Sequence, residues 1–274
     1  MNSQKATGER LLSDQFNENT SEHLHRYAMA REFSIDKIVL DIASGEGYGS
    51  NLLAKIAHRV IGVDIDQETV ELAKQKYKGS NLEYKVGNAA NIPCENEFFD
   101  VVVSFETLEH HDKHTEMMLE IKRVLKSSGL CIISTPDKLI YSDKKNKQNP
   151  FHVKELYKDE FKTLLSAHFK NVVILKQLFF CGSMLLPENF TEHSFTNFEG
   201  DFNKIDKTKE IEAEYLIALA SDTDITLPGR STFIDKDFAL NKMHEFQNSS
   251  IRYKLGKFIL SPFNFFKSKV PEVK

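Results

Sequence analysis

Val39-Leu-Asp-Ile-Ala-Ser-Gly-Glu-Gly-Tyr-Gly49 is an apolar run that reaches a carboxylate and then breaks into three alternate glycines. The run Lys37–Ile42 has the branched, almost uninterrupted apolar composition of a strand covered on both faces. Gly45, Gly47 and Gly49 let the chain turn tightly into a helix and let a ligand approach the backbone without meeting a Cβ. Their spacing is G-x-G-x-G, whereas dinucleotide sites favour G-x-G-x-x-G. Asp41, just ahead of the loop, would repel a pyrophosphate and suits a cationic ligand. This one stretch predicts a strand, a ligand loop and a helix in succession, the opening unit of an α/β sheet.

The chain on either side repeats that unit. Arg59–Val63, Leu82–Val86, Asp100–Ser104 and Leu130–Thr135 read as four further strands, with helical spacing between them. Leu52, Leu53 and Ile56 mark one helix; Val70, Leu72, Ala73 and Tyr77 mark a second, with Asp66 as its natural N-cap. Met117, Met118, Ile121, Val124 and Leu125 mark a third, which Ser127-Ser128-Gly129 should end. Phe161, Leu164 and Leu165 mark a fourth, before a strand at Val172–Phe179. Leu186 to Glu210 shows no clear period and reads as an irregular cap, and Glu214–Ala220 reads as the last strand. The expectation is a Rossmann-like, doubly wound, mostly parallel sheet of seven strands with an insertion at about residues 182–211. Asp64 closes the second strand, 64 − 45 = 19 positions beyond Gly45, where a carboxylate can accept hydrogen bonds from ribose hydroxyls. Asn88 and Ala89, after the third strand, are placed to meet an adenine edge, although Asn88 could simply hold a turn.

The blocks VLDIASGEGYGS, VIGVDID, VGNAANIP and FDVVVSFETLEHH, across roughly residues 37 to 135, resemble the ordered motifs of class I S-adenosylmethionine-dependent methyltransferases. The sulfonium and ammonium of that donor suit the acidic loop. The resemblance implies that Asp41, Ala43, Gly45, Gly47, Asp64, Ile65, Asn88, Ala89 and Phe105 line the cofactor pocket. Ser44 and Asn88 depart from the family's usual Gly or Cys and usual Asp. Ahead of the first strand, His25, Arg26 and Tyr27 would lie on a lid helix, with Arg26 facing the cofactor carboxylate.

The methyl group would face the segment after the fourth strand, Glu106-Thr-Leu-Glu-His-His111, followed by His114. An acceptor hydroxyl needs a base, and His110, His111 and His152 are the candidates because imidazole titrates near neutrality. Each could instead serve a local structural bond. Glu106, Glu109 and His110 have E-x-x-E-H spacing, which places them on one face of a helical turn. With His152 they could hold Mg²⁺ or Mn²⁺, and the spacing resembles that of small-RNA 2′-O-methyltransferases and some ubiquinone-pathway O-methyltransferases. The segments HLHRYAMA, ETLEHH and NPFHVKEL resemble bacterial methyltransferases of cell-surface polysaccharide biosynthesis. That implies O-methylation of a sugar or phosphoryl group on a glycan or its precursor. Arg26, Lys144, Lys145 and Lys147 are the cations available to clamp a phosphate. The alternatives are a small-molecule O- or N-methyltransferase outside glycan metabolism and a catalytically inactive cofactor-binding partner subunit.

Bulk properties narrow the field. The 274 residues carry a formal net charge of −4, so no global field draws the chain to nucleic acid. Ser104-Phe-Glu-Thr stands where amino-group DNA methylases carry [DN]-P-P-[YF]. No apolar run approaches the roughly 20 residues of a membrane-spanning helix, and the polar start, Met1 to Arg10, lacks a signal-peptide core. Cys94, Cys131 and Cys181 are too few and too widely spaced for a metal site and suit a reducing cytoplasm. The expected organisation is a helical lid over residues 1–36, a methyltransferase domain over 37–220, and an extension over 221–274. Homo-oligomerisation stays open. Within the extension, residues 251–270 form a basic, amphipathic, aromatic segment that could rest on the inner face of a membrane, or pack as a docked helix.

Overall fold

The computed structural model describes residues 18–146, 148–179, 197–200, 204–208 and 212–234. Its helices are α1 (Glu18–Ser34), α2 (Tyr48–Ala54), α3 (Gln67–Lys76), α4 (His114–Val124) and α5 (Lys158–Ser166). The strands are β1 (Ile38–Ile42), β2 (Arg59–Asp64), β3 (Leu82–Val86), β4 (Phe99–Phe105), β5 (Leu125–Pro136), β6 (Asn171–Gln177), β7 (Asn197–Gly200), β8 (Ile205–Thr208) and β9 (Tyr215–Ser221). Seven of them form one sheet in the order β3-β2-β1-β4-β5-β9-β6. The neighbours from β3 to β5 pair in parallel, and β9 runs antiparallel to both β5 and β6. The architecture is the expected Rossmann-like sheet of seven strands, with the insertion between β6 and β9.

Alternation along β1 explains its continuous apolar reading. Leu40 and Ile42 enter one core layer with Met117, Met118 and Ile121 of α4. Val39 enters the other, against Tyr27 and Ala30 of α1 and Leu53 of α2. Successive side chains point to opposite faces, and helices cover both. β9 is buried at every position because it lies between β5 and β6. Asp66 caps α3 as expected, accepting from the backbone N–H groups of Glu68 at 2.9 Å and Thr69 at 3.2 Å.

Several boundaries move. The third expected helix does not run on to Ser127-Ser128-Gly129: α4 ends at Val124 and the chain enters β5 directly. Leu125 pairs with Phe99, and an irregularity follows before Leu130 pairs with Val101. Lys126 to Gly129 are the irregular start of the strand. β6 ends at Gln177 rather than at Phe179. Within the expected irregular cap, β7 and β8 form an antiparallel pair. Their sequences, NFEG and IDKT, are too polar and too short to show alternation.

Residues 1–17 and 235–274, among them the basic segment 251–270, lie outside the described residues, as do Lys147 and Cys181. Among the described residues, no helix is long and apolar enough to cross a membrane.

Candidate functional site

The strand order reverses between β1 and β4, and a cavity of about 460 Å³ opens beyond their carboxyl ends. Open α/β sheets bind ligands at such a point. Of the residues expected at the cofactor, Ala43, Gly45, Asp64, Ile65, Asn88, Ala89 and Phe105 line it. Ala43 at the end of β1 and Glu106 at the end of β4 both adopt left-handed backbone, with φ of 56° and 51°. Side chains other than glycine rarely adopt it, and such strain gathers at ligand sites. Gly45 and Gly47, at φ of 53° and 89°, make the same turn without that cost. A Cβ on Gly47 would stand 2.6 Å from the Tyr84 hydroxyl oxygen, which donates to the Gly47 carbonyl at 2.7 Å.

Asp64 ties the loop to β2. One carboxylate oxygen accepts from the Gly45 N–H at 2.9 Å and the other from the Asp66 N–H at 3.0 Å. Asn88 holds a turn, its side-chain oxygen accepting from the Ala90 N–H at 2.8 Å, and it also lines the cavity.

Asp41 and Gly47 do not reach the cavity wall. Asp41 is fully buried behind the loop, accepting from Ser50 Oγ at 2.6 Å and from the Tyr27 hydroxyl at 3.2 Å. Burial pushes its carboxyl up to about 7, with the two hydroxyl donors opposing and Asp64 adding to the rise. No cation faces it among these contacts.

The lid helix presents a different face from the one expected. His23 and Tyr27, four residues apart on α1, line the cavity, and His23 Nδ1 lies 3.1 Å from the Tyr48 hydroxyl. Burial, then the charge of Arg26, lowers His23 to about 3, so it is neutral. His25 instead meets Ser231 Oγ at 2.8 Å. Arg26 is 1% exposed and is not among the residues that line the cavity. Its Nε donates to Gln177 Oε1 at 2.7 Å, and its guanidinium lies 4.5 Å over the Tyr215 ring. An Nη forms an ion pair with Glu106 Oε1 at 3.2 Å without a hydrogen bond, and that oxygen accepts from Ser134 Oγ at 2.6 Å. Arg26 therefore stitches α1 to the ends of β4, β6 and β9 rather than facing a cofactor carboxylate.

The same network corrects the expected metal set. Glu106 lies before the short 3-10 turn Leu108–His110, so the E-x-x-E-H residues do not share one helical face. Glu109, His110 and His152 do converge, each offering a ligand atom within 4.8 Å of the others. Burial, then the charge of Glu106, pushes the Glu109 carboxyl well above its ordinary value.

The three candidate bases differ. His152 Nδ1 lies 2.5 Å from Glu155 Oε1, and both side chains are only 8% exposed. A carboxylate accepts only, so Nδ1 carries the hydrogen and Nε2 the lone pair; Nε2 accepts from Asn149 Nδ2 at 2.9 Å. His110 Nδ1 lies 3.1 Å from the Phe151 carbonyl oxygen, which fixes the same tautomer. His111 has the opposite one. Its Nδ1 accepts from the Lys113 N–H at 3.1 Å, and burial lowers its pKa, so its hydrogen sits on Nε2. That nitrogen can donate but cannot take a proton. His110 and His111 line the cofactor-sized cavity, whereas His152 lines a neighbouring groove, its ring centroid 5.1 Å from that of His110. Sequence reasoning missed Glu155, although its three-residue spacing from His152 was the available signal.

Two expected phosphate-clamping cations are engaged elsewhere: Lys144 with Glu212, and Lys145 with Glu214 at 2.5 Å.

Residues 40–133 match the family model described as "Methyltransferase domain". A protein of Mycobacterium tuberculosis named "Probable S-adenosylmethionine-dependent methyltransferase" is 36% identical over 172 residues, which are 61% of this chain and 62% of that protein. The phthiotriol/phenolphthiotriol dimycocerosates methyltransferase 1 of Mycobacterium ulcerans is 30% identical over 43% of this chain and 44% of its own. The chain thus spans under two thirds of the length of these curated relatives. A solved SAM-dependent methyltransferase from Thermotoga maritima superposes with a TM-score of 0.55 at 19% identity, covering 75% of this chain and 91% of that one. At that identity the likeness is one of fold.

Proposed function

We propose that this chain is an S-adenosylmethionine-dependent methyltransferase that O-methylates a hydroxyl of a glycan or glycan precursor. The carrying observation is the Glu155–His152 pair beside a switch-point cavity lined by Gly45, Asp64 and Phe105. The methyltransferase domain match and the relatives' names support the donor. In the reaction the C–S bond of the sulfonium breaks as the acceptor oxygen forms its bond to the methyl carbon. The hydroxyl proton passes to His152 Nε2, exchanging the Asn149 contact for one to the acceptor, and the donor leaves as a neutral thioether. Glu155 holds the imidazole in the accepting tautomer and stabilises the imidazolium that forms. A phosphoryl acceptor would need a cationic clamp; Arg26, Lys144 and Lys145, three of the four cations expected for it, pair with Glu106, Glu212 and Glu214, which supports the hydroxyl.

A second reading has its own observation, the convergence of Glu109, His110 and His152. The chemistry of these donors fits Mg²⁺ or Mn²⁺ only in part. A carboxylate and two imidazoles with anchored Nδ1 atoms suit a divalent ion, but Glu106 is committed to Arg26 and Ser134. A bound ion would acidify the acceptor hydroxyl. Turnover of labelled methyl donor with polar extracts as acceptor source separates the readings. With His152 as base, His152→Ala lowers turnover on the order of 10²-fold and Glu155→Gln about 10-fold, with cofactor affinity unchanged. Chelator leaves the rate alone. Activity abolished by chelator and restored by Mn²⁺ would give the site to the metal; full activity in both variants would remove His152 from the chemistry.

A further inference from the structure

We propose that the groove beyond His152 is the acceptor subsite and takes an uncharged, polyhydroxylated ring of the sugar class, an inference that rests on the methyltransferase reading above. The groove encloses about 490 Å³, within the range of small-molecule sites. His152 is its wall toward His110, so an acceptor seated there has its reacting oxygen beside the cofactor cavity.

The lining is polar, with Val153 its one aliphatic side chain among the described residues. Val153 is 64% exposed, so an alkyl chain would find little to bury against. Among the described lining residues Lys138 and Lys154 are matched by Asp143 and Glu155, which argues against a polyanion. The two carboxylates already accept from protein groups, Asp143 from the Tyr157 hydroxyl at 2.9 Å and Glu155 from His152. Apart from the two lysines, the other polar groups are neutral. Ser142 is 9% exposed, and its Oγ is buried without a hydrogen-bond partner among the described residues. A buried hydroxyl left unpaired is costly, and a ligand hydroxyl would satisfy it. The amides of Asn146 and Gln148 line the same groove, and each both donates and accepts, as vicinal hydroxyls do.

The full chain is first titrated with S-adenosylhomocysteine by calorimetry. Saturation-transfer NMR of that complex then compares hexoses, deoxyhexoses and disaccharides with decanol. We expect sugar signals to saturate and decanol signals not to. Ser142→Ala and Gln148→Ala should each weaken the best sugar about 10-fold, the worth of one hydrogen bond, at unchanged S-adenosylhomocysteine affinity. Ser142→Ala removes an unpaired group, so the free protein should fold as before. A preference for decanol, or sugar binding indifferent to both substitutions, overturns the subsite. Failure to bind S-adenosylhomocysteine overturns the methyltransferase reading and this inference with it.

Discussion

Two buried aspartates near one loop have opposite jobs. Asp64 holds the Gly45 and Asp66 amides while lining the cavity, so it positions the loop that it shares with the ligand. Asp64→Ala should weaken S-adenosylmethionine binding by about 1–3 kcal/mol, the scale of unpaired hydrogen-bonding groups; unchanged affinity by calorimetry in a folded variant would contradict that placement. Asp41 sits one layer deeper, with hydroxyls but no cation, and its carboxyl is raised to about 7. The folded value lies above the ordinary 3.8, so the folded chain holds this proton more tightly than the unfolded one. Its contribution to stability is complete below the ordinary value and is lost as pH rises through about 7. Asp41→Asn should therefore raise Tm relative to wild type more at pH 8 than at pH 5, where less of the contribution has been lost. A cationic ligand would favour the carboxylate, so binding at pH 7 should release a proton in wild type only, read from calorimetry in buffers of different ionisation enthalpy. Equal Tm differences at both pH values would mean that Asp41 is ionised throughout. The loop's acidity was legible in the sequence; that Asp41 acts from behind it was not, because depth is set by the Tyr27 and Ser50 hydroxyls, which come from α1 and α2.

Elements were legible wherever burial is two-sided. β1, β2 and β4 are mostly apolar because helices cover both faces of the sheet, and Asp66 announced α3 through its capping geometry. The register of α1 was less legible, since His23, His25, Arg26 and Tyr27 are all polar or amphipathic and pattern alone does not choose among faces. Packing chooses. Tyr27 fits over Gly49, where any Cβ would overlap its ring, and it packs edge-on to Phe105 with centroids 5.0 Å apart. Arg26 then faces Gln177, Glu106 and Tyr215, three partners far apart in sequence. This gives a test in which two effects compete. Gly49→Ala gains up to about 1 kcal/mol of helix propensity in α2, whereas overpacking against Tyr27 costs about 1–3 kcal/mol. We expect a net loss of stability by denaturant titration, with weaker cofactor binding because the lid helix shifts. A stabilised variant would mean that α1 does not press on the loop as described.

At the scale of the whole molecule, the order β3-β2-β1-β4-β5-β9-β6 places the cavity at the reversal between β1 and β4, and it places the histidine-walled groove beyond β5. Sequence motifs disclosed the cavity because glycine and aspartate spacing is local. They disclosed the proposed acceptor side only as loose histidines, since the Glu155–His152 pair and the Ser142 hydroxyl acquire meaning only where the chain after β5 returns to His110. The central claim is that both halves work on one reaction, methyl transfer from S-adenosylmethionine to a hydroxyl. The direct measurement incubates the full chain with methyl-labelled S-adenosylmethionine and polar cell extract, then identifies labelled products by mass spectrometry. The account predicts a methyl ether on a hydroxylated, sugar-like product, formed far more slowly by His152→Ala. Binding of the donor with no label transferred to any product would contradict it and leave a cofactor-binding subunit without catalysis.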